Sequence, residues 1–402
     1  MAPRFRILPA LLLFALTFGQ AHAASRRLLA YYYYGDRYNS IPYSAVNIPY
    51  QQLTHISHSA ISPAAQADGS LDVPSGFLEP DLISLAHAAN VKVVVSVGGD
   101  PNVFVTIDAD PALRAVFAQN LASFAITNGY DGVDFDYEVP NDQTEATNFT
   151  SLIQDTRNLL PAGQYLLTAA VSSTPGSYGL YDFAGMIPLL DFFNVMTYDF
   201  HGPWTNHSGH NSPLFLNPND PGQEGSLETS VDAYLQTFKV PAGQINLGTA
   251  FYGYAFNVDQ LWAFCHNQQL CGNNNTPSFT YAQIEHGIKL FGWTEHWDKL
   301  ADAPYLLGPV NTKEGFITYD NPTSTMLKVH YALNLRHLGG VFMWEISQDY
   351  NGRQQPLMTA MYKAFREVNA AAGVHRARRR WLDEDVSWLM SDEEASPFRA
   401  AK

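Results

Sequence analysis

The segment 130–138, with the sequence Y-D-G-V-D-F-D-Y-E, carries acidic residues at alternating positions. In an extended strand, side chains two positions apart lie on the same face, so Asp134, Asp136 and Glu138 share one face. Burial and the neighbouring carboxyls raise the pKa of the outermost residue, Glu138, which suits it to act as a general acid near neutral pH. We therefore expect acid–base chemistry at the end of this strand. A solvated acidic edge strand and a metal cage are the alternatives.

Short apolar or β-branched runs recur along the chain and predict the elements that position these acids. Eight such runs occupy residues 28–34, 53–61, 92–97, 129–138, 165–171, 192–198, 245–251 and 340–344. Helical patterns lie between many of them, at residues 80–89, 111–128, 144–160, 227–238 and 323–337. Eight strands alternating with helices predict an α/β fold, a (β/α)8 TIM barrel, with active residues at the carboxyl ends of its strands. A doubly wound open sheet is the alternative from pattern alone.

The interval between the seventh and eighth predicted strands is too long for a simple connection. Residues 254–316 contain both cysteines and alternating aromatic residues, which indicates a small α+β insertion domain after strand 7. A long irregular excursion is the other interpretation. We expect the barrel to span residues 24–372, and residues 373–402, with their runs of like charge, to form a solvated and mobile tail.

The amino-terminal segment, residues 1–23, is typical of a secretory signal peptide. Arg4 and Arg6 precede an apolar stretch that is too short to span a membrane, and small residues follow at the expected cleavage site. Export implies an oxidising compartment, in which Cys265 and Cys271 could close a small loop as a disulfide. These thiols have no histidine pair beside them, so a zinc site at the cysteines is disfavoured.

The composition limits the class of ligand. The 402 residues include 23 Lys and Arg against 38 Asp and Glu, a formal charge of −15. Nucleic acids and anionic membrane surfaces bind basic proteins, so neither is expected as a partner. Aromatic residues make up 13% of the chain, which favours a neutral or cationic ligand that stacks on exposed rings.

Four motifs, in order, resemble those of glycoside hydrolase family 18, the chitinases and their relatives. D-G-V-D-F-D-Y-E at 131–138 is similar to the family signature D-x-x-D-x-D-x-E. S-V-G-G at 96–99, M-T-Y-D at 196–199 and G-G-V-F-M-W-E at 339–345 resemble the family's third, sixth and eighth strand ends. The resemblance covers residues 28–365, nearly the whole chain after the signal.

The resemblance implies a substrate-assisted retaining hydrolysis of β-1,4-linked N-acetylglucosamine polymers, an exception to the usual two-carboxylate scheme. By motif position, Glu138 is the acid, Asp136 holds the substrate acetamido group, and Asp134 shares a proton with Asp136. Tyr198 would donate its hydroxyl to the acetamido oxygen. The substrate supplies its own nucleophile, so no cofactor and no metal are expected.

The resemblance also suggests which residues bind chitin or N-acetylglucosamine oligosaccharides. These are Trp344, Asp199, Tyr31, Ser96, Gly98, Gly99, Met196, Trp204 and Tyr252. Trp344 would form the floor beneath the sugar before the scissile bond, although a core aromatic capping the barrel is the alternative. Trp204 is a sugar platform or a packing residue of its loop. His55, His58 and His201 show no spacing typical of a metal site and are interpreted as buried histidines.

Two positions depart from the family pattern. Asp100 stands where many relatives have Trp after S-x-G-G, and Tyr254 stands where many have Arg. Both changes affect substrate-binding positions. We expect a secreted, monomeric chitinase, which would be exo-acting if the insertion deepens the cleft. The alternatives are an endo-β-N-acetylglucosaminidase acting on N-glycans or peptidoglycan-type substrates, and an inactive chitin-binding lectin.

Overall fold

The computed structural model describes residues 26–174, 179–265, 269–274, 277–309 and 315–374. The predicted signal peptide and the tail beyond residue 374 lie outside these ranges. Across the described residues, the helices are all too short or too polar to cross a bilayer.

Strands of the described ranges form two sheets. In chain order they are β1 (Arg27–Tyr33), β2 (His55–Pro63), β3 (Leu71–Asp72), β4 (Lys92–Gly98), β5 (Gly132–Asp136), β6 (Leu166–Ser172), β7 (Phe192–Met196), β8 (Ile245–Ala250), β9 (Tyr252–Phe256), β10 (Ser278–Thr280), β11 (Thr294–Asp298), β12 (Ala303–Leu307), β13 (Phe316–Thr318) and β14 (Gly340–Trp344). Eight of them pair in parallel in the order β1-β14-β8-β7-β6-β5-β4-β2, and a further β1–β2 pairing closes the barrel. The predicted (β/α)8 barrel is thereby confirmed.

The described residues also form α-helices, most of which surround this barrel. They are α1 (Pro80–Ala88), α2 (Pro101–Ala109), α3 (Pro111–Thr127), α4 (Gln143–Leu159), α5 (Phe183–Met186), α6 (Leu227–Asp232), α7 (Tyr281–Phe291), α8 (Pro322–His330) and α9 (Pro356–Val374). Side-chain caps set several starts: Asp110 accepts from the backbone of α3, Asp142 from that of α4, and Asn321 from that of α8. Helices α6 and α8 each continue into a π-helical turn.

The second sheet is antiparallel, in the order β10-β9-β13-β12-β11, and α7 packs beside it. Its strands occupy residues 252–318 and follow β8 directly, so a small α+β insertion after the seventh barrel strand is confirmed. Cys265 and Cys271 form a disulfide within this region. The domain boundaries at 254 and 316 stay predictions.

Alternation along the strands divides the barrel into an apolar outside and a polar inside. On β5, Phe135 points outward and its ring lies 5.8 Å from that of Phe149 on α4. Asp134 points inward, in register with Ser96 on β4 and Thr168 on β6. The outer residues form the main hydrophobic core, while the inner layer is free to hold polar groups.

Candidate active site

Asp134 lies at the centre of a hydrogen-bond network inside the barrel. Its side chain is fully buried, and donors from five other strands surround it. They are Tyr31 Oη at 2.7 Å, Ser57 Oγ at 3.0 Å, Ser96 Oγ at 3.2 Å, Thr168 Oγ1 at 2.5 Å and Asn194 Nδ2 at 3.3 Å. Burial raises the pKa of Asp134, and the hydroxyl donors oppose that rise by stabilising its carboxylate.

Asp136 lies two residues further along the same face of β5 and has a different environment. Its Oδ1 is buried and has no hydrogen-bond partner among the described residues. Burial raises the pKa of Asp136 well above its usual value, and the charges of Glu138 and Asp134 raise it further. A carboxyl group in this setting is therefore harder to ionise than an exposed aspartate.

Glu138 follows the end of β5 and is exposed at the mouth of the barrel. Partial burial among the surrounding groups raises the pKa of Glu138, and the charge of Asp199 raises it further. The three acids therefore form a row that runs from the buried centre to solvent. Each carboxyl in this row has a raised pKa, and the outermost can deliver a proton to a bound molecule.

Tyr198 and Asp199 approach this row from the end of β7. Burial and the nearby carboxylates raise the pKa of Tyr198 well above its usual value, so its hydroxyl remains a donor. The Asp199 carboxylate accepts hydrogen bonds from Tyr252 Oη at 2.5 Å and Tyr254 Oη at 3.0 Å. Its backbone N–H donates to Asn211 Oδ1 at 2.8 Å, which holds the turn in place.

Aromatic rings line the same end of the barrel. Trp344, at the end of β14, is partly buried, and its ring centroid lies 5.4 Å from that of Tyr31. Met196 packs against the same interior cluster. Trp204 is 47% exposed and lies edge-on to Tyr254 at 5.6 Å, so its ring is accessible to a ligand.

The motif at the end of the third barrel strand contains Gly98 and Gly99, and a different structural constraint requires glycine at each position. A Cβ on Gly98 would lie 3.1 Å from the Asp136 carbonyl oxygen, so this position keeps β4 close to β5. Gly99 has a φ of +137°, a conformation that side chains rarely adopt. Asp100, the first departure from the family pattern, accepts from the Asn102 backbone N–H at 2.9 Å and begins α2 as its N-cap.

Several residues around the acids were missed by sequence reasoning. Ser57, Thr168 and Asn194 all contact Asp134. For Thr168 and Asn194 the available signal was a polar residue among apolar neighbours in the strand, whereas Ser57 lies among other polar residues of β2 and carried no such signal. Tyr254, noted in the sequence only as a departure, shares Asp199 with Tyr252. The structure brings every predicted acidic and aromatic site residue to the carboxyl end or interior of the barrel.

The histidines separate into two environments. His55 and His58 are held in the barrel wall, where burial lowers the pKa of each to about 3, and the His58 ring bonds the Tyr130 hydroxyl at 2.8 Å. His201 instead joins a group whose composition fits a metal ion, the one such group in the described ranges, and it lies in the loop after β7. Its members are His201, His207, Asp220 and Glu224.

Comparison with known proteins gives consistent results. Residues 27–349 match the sequence model of glycosyl hydrolases family 18. The chain is 32% identical over 283 residues to Chitinase 1 of Aphanocladium album, covering 67% of this chain and 65% of that protein. It is 31% identical over 299 residues to Chitinase A1 of Niallia circulans, covering 67% of this chain and 42% of that protein. The chain thus spans less than two thirds of the length of these relatives.

The fold has solved counterparts. A variant of a class V chitinase from Nicotiana tobaccum, solved in complex with NAG4, superposes with a TM-score of 0.73 at 24% sequence identity. The superposition covers 85% of this chain and 99% of that one. Because the family match covers most of the chain and its motifs converge at one end of a closed barrel, the chain belongs to glycosyl hydrolases family 18.

Proposed function

We propose that this protein is a chitinase that hydrolyses β-1,4 linkages between N-acetylglucosamine units by substrate-assisted retaining catalysis. The observation that carries the proposal is the graded row of Asp134, Asp136 and Glu138. One acid is saturated with hydrogen bonds, the next has a buried oxygen without a partner, and the last is open to the cleft. The relatives named as chitinases, and the neighbour solved with NAG4, support this substrate class.

In the proposed reaction, Glu138 donates a proton to the glycosidic oxygen as the bond to the anomeric carbon breaks. The carbonyl oxygen of the substrate's own 2-acetamido group attacks that carbon and forms a cyclic oxazolinium ion. The ionised Glu138 then takes a proton from water, and the water oxygen opens the ring with retention of configuration. Glu138 gives one proton to the leaving group and regains one from water, so the reaction needs no other reactant.

Asp136 and Tyr198 would hold the acetamido group during this step. The partnerless Asp136 Oδ1 is available to accept the acetamido N–H, which builds positive charge as the ring closes. The protonated Tyr198 hydroxyl would donate to the acetamido oxygen. Asp134, fixed by its donors, would take up the proton that Asp136 gives up as it turns toward the substrate.

Aromatic rings would bind the flanking sugars. Trp344 is proposed as the floor of the subsite before the scissile bond, and Trp204 as a platform beyond it. The subsite before the scissile bond would be completed by Asp199, Tyr252 and Tyr31. Its shape would be set by Ser96, Gly98, Gly99 and Met196.

Hydrolysis of a chromogenic chitobioside or chitotrioside tests the proposal. We expect release of chromophore by the wild type, and a kcat lower by about 10²- to 10⁴-fold in Glu138→Gln with little change in KM, as for loss of a general acid. An inactive wild type that still binds chitotriose would overturn the proposal in favour of a lectin. Faster release from an N-glycoprotein than from chitin oligomers would instead support an endo-β-N-acetylglucosaminidase.

We further propose that the chain is secreted and acts as a monomer and an exo-enzyme. The disulfide between Cys265 and Cys271 supports an oxidising location. The insertion beside the cleft supports cleavage from chain ends. Random internal cuts in long soluble chito-oligosaccharides, resolved by mass spectrometry, would rule out exo action.

A further inference from the structure

Four side chains converge in the loop between β7 and α6, away from the row of acids. The two histidine Nε2 atoms lie 3.2 Å apart, and Asp220 Oδ1 lies 3.3 Å from that of His201 and 3.0 Å from that of His207. Glu224 Oε2 lies 3.2 Å from the first and 3.6 Å from the second. One such atom from each residue lies within 4.8 Å of all the others.

These separations match the edges of a coordination tetrahedron. Zinc bonds to histidine nitrogen and carboxylate oxygen measure about 2.0–2.2 Å, so two ligand atoms of a tetrahedral ion lie about 3.3–3.6 Å apart. Five of the separations fall between 3.0 and 3.6 Å. Glu224 Oε2 is buried and has no hydrogen-bond partner among the described residues, although it lies near both rings. This oxygen lies within 3.6 Å of both histidine Nε2 atoms, as a ligand shared around one centre requires.

Hydrogen bonds on the far side of each ring set the tautomers that a metal requires. His201 Nδ1 lies 3.0 Å from the His210 carbonyl oxygen, which can only accept, so Nδ1 carries the proton. His207 Nδ1 lies 2.8 Å from the side-chain oxygen of Asn206 and is protonated for the same reason. In the neutral rings both Nε2 lone pairs therefore point into the cluster, the arrangement that outer hydrogen bonds impose on metal-binding histidines.

Charge and packing also favour a cation at the centre. Three of the side chains are at most 1% exposed, and that of Glu224 is 27% exposed. A divalent ion neutralises the two carboxylates. Without it, the two Nε2 atoms face each other across 3.2 Å with both carboxylates beside them. A Cβ on Gly209 would lie 2.1 Å from the buried His201 ring, so a side chain at this position would displace the ring.

We propose that His201, His207, Asp220 and Glu224 form a structural zinc site. Four protein ligands close the coordination sphere, which is typical of structural rather than catalytic zinc. The ion would fasten residues 201–207 to residues 220–224, and so fix the loop that begins at Asp199. The same loop contacts the insertion, because His207 bridges to Phe264 and the His201 ring lies 5.6 Å from that of Trp262.

Metal content of the purified full-length chain tests the proposal independently of hydrolysis. The protein is incubated with zinc chloride and dialysed, and its zinc content is measured by elemental mass spectrometry. The wild type should contain about one zinc per chain, and His207→Gln should contain none. His87→Gln is the matched control, because His87 also bonds a carboxylate, that of Asp131, at 2.8 Å but lies outside the cluster. This control should retain zinc. Wild-type protein without stoichiometric zinc, or His207→Gln with it, would overturn the proposal.

Two measurements on the wild type apply even if the variant fails to fold. Removal of zinc by EDTA should lower Tm by roughly 5 °C or more, and zinc added back should restore it. Cobalt in place of zinc should give the strong visible absorption of tetrahedral coordination. A Tm that EDTA leaves unchanged, or a cobalt spectrum typical of six-coordinate hydrated ion, would contradict the site.

Discussion

Replacing Tyr31 by Phe isolates one donor of the network around Asp134. The hydroxyl of Tyr31 donates to Asp134 Oδ2 at 2.7 Å, while its ring lies against Phe342 and Trp344 at 5.5 and 5.4 Å. Phe keeps these ring contacts and removes the hydroxyl, which also accepts a hydrogen bond from Asn194 Nδ2 at 3.1 Å. Because the donor favours the ionised form of Asp134, its removal raises the pKa of that carboxyl.

The size of the effect follows from the energy of a charged hydrogen bond. Such a bond contributes about 1.5–3 kcal/mol, and 1.36 kcal/mol corresponds to one pKa unit, so the pKa should rise by roughly 1–2 units. In the proposed mechanism Asp134 and Asp136 share one proton, so activity is expected only when the pair holds no more than one proton. The acidic limb of the kcat/KM profile should therefore move to higher pH by about 1–2 units, and activity on the acidic side should fall about 10- to 100-fold.

Tyr32→Phe is the matched control. Tyr32 lies next to Tyr31 on β1 but points to the outside of the barrel, where its buried hydroxyl donates to Glu79. Both variants should lose free energy of unfolding in a denaturant titration, whereas only Tyr31→Phe should shift the pH profile. An acidic limb that stays in place in Tyr31→Phe, or moves equally in Tyr32→Phe, would refute the reasoning.

Three other variants give separate expectations. Asp199→Asn removes a charge that raises the pKa of Glu138. The alkaline limb of the kcat/KM profile, where Glu138 loses its proton, should therefore move to lower pH. A limb that stays in place would show that Asp199 does not raise the pKa of Glu138. Replacing Cys265 and Cys271 together by Ala should lower the free energy of unfolding by about 2 kcal/mol, the value for so short a loop, whereas equal stability by urea titration would show that the crosslink contributes nothing. Trp344→Ala should weaken chitotriose binding roughly tenfold by calorimetry, and unchanged affinity would assign the ring to packing.

The fold and the acidic row could be predicted because both depend on local patterns. Period-two alternation places Asp134, Asp136 and Glu138 on one face whatever the rest of the chain does. Ser96 and Tyr31 were expected at the site only through the family resemblance, whereas Asn194 was not predictable, because it lies 60 positions from Asp134 and reaches it only through barrel closure. A closed barrel turns lone polar residues of distant strands into neighbours.

The loop after β7 was harder still. The loop that contains His201, His207, Asp220 and Glu224 has no helical or strand periodicity. The spacing of these residues therefore does not predict which way their side chains point. Their convergence depends on turns that a pattern cannot indicate. Asp100 is a related case, since a departure from the family's binding pattern proves to begin a helix that the sequence analysis did not predict.

The acetamido group of the substrate provides the most direct test of the central claim that the substrate supplies its own nucleophile. Two aryl chitobiosides would be compared by kcat, one with the acetamido group on the sugar next to the aryl group and one with a free amine there. Intramolecular attack predicts that kcat falls on the order of a thousandfold or more without the acetamido group. Similar kcat values for the two substrates, both abolished in Glu138→Gln, would contradict the account and indicate a nucleophile supplied by the protein.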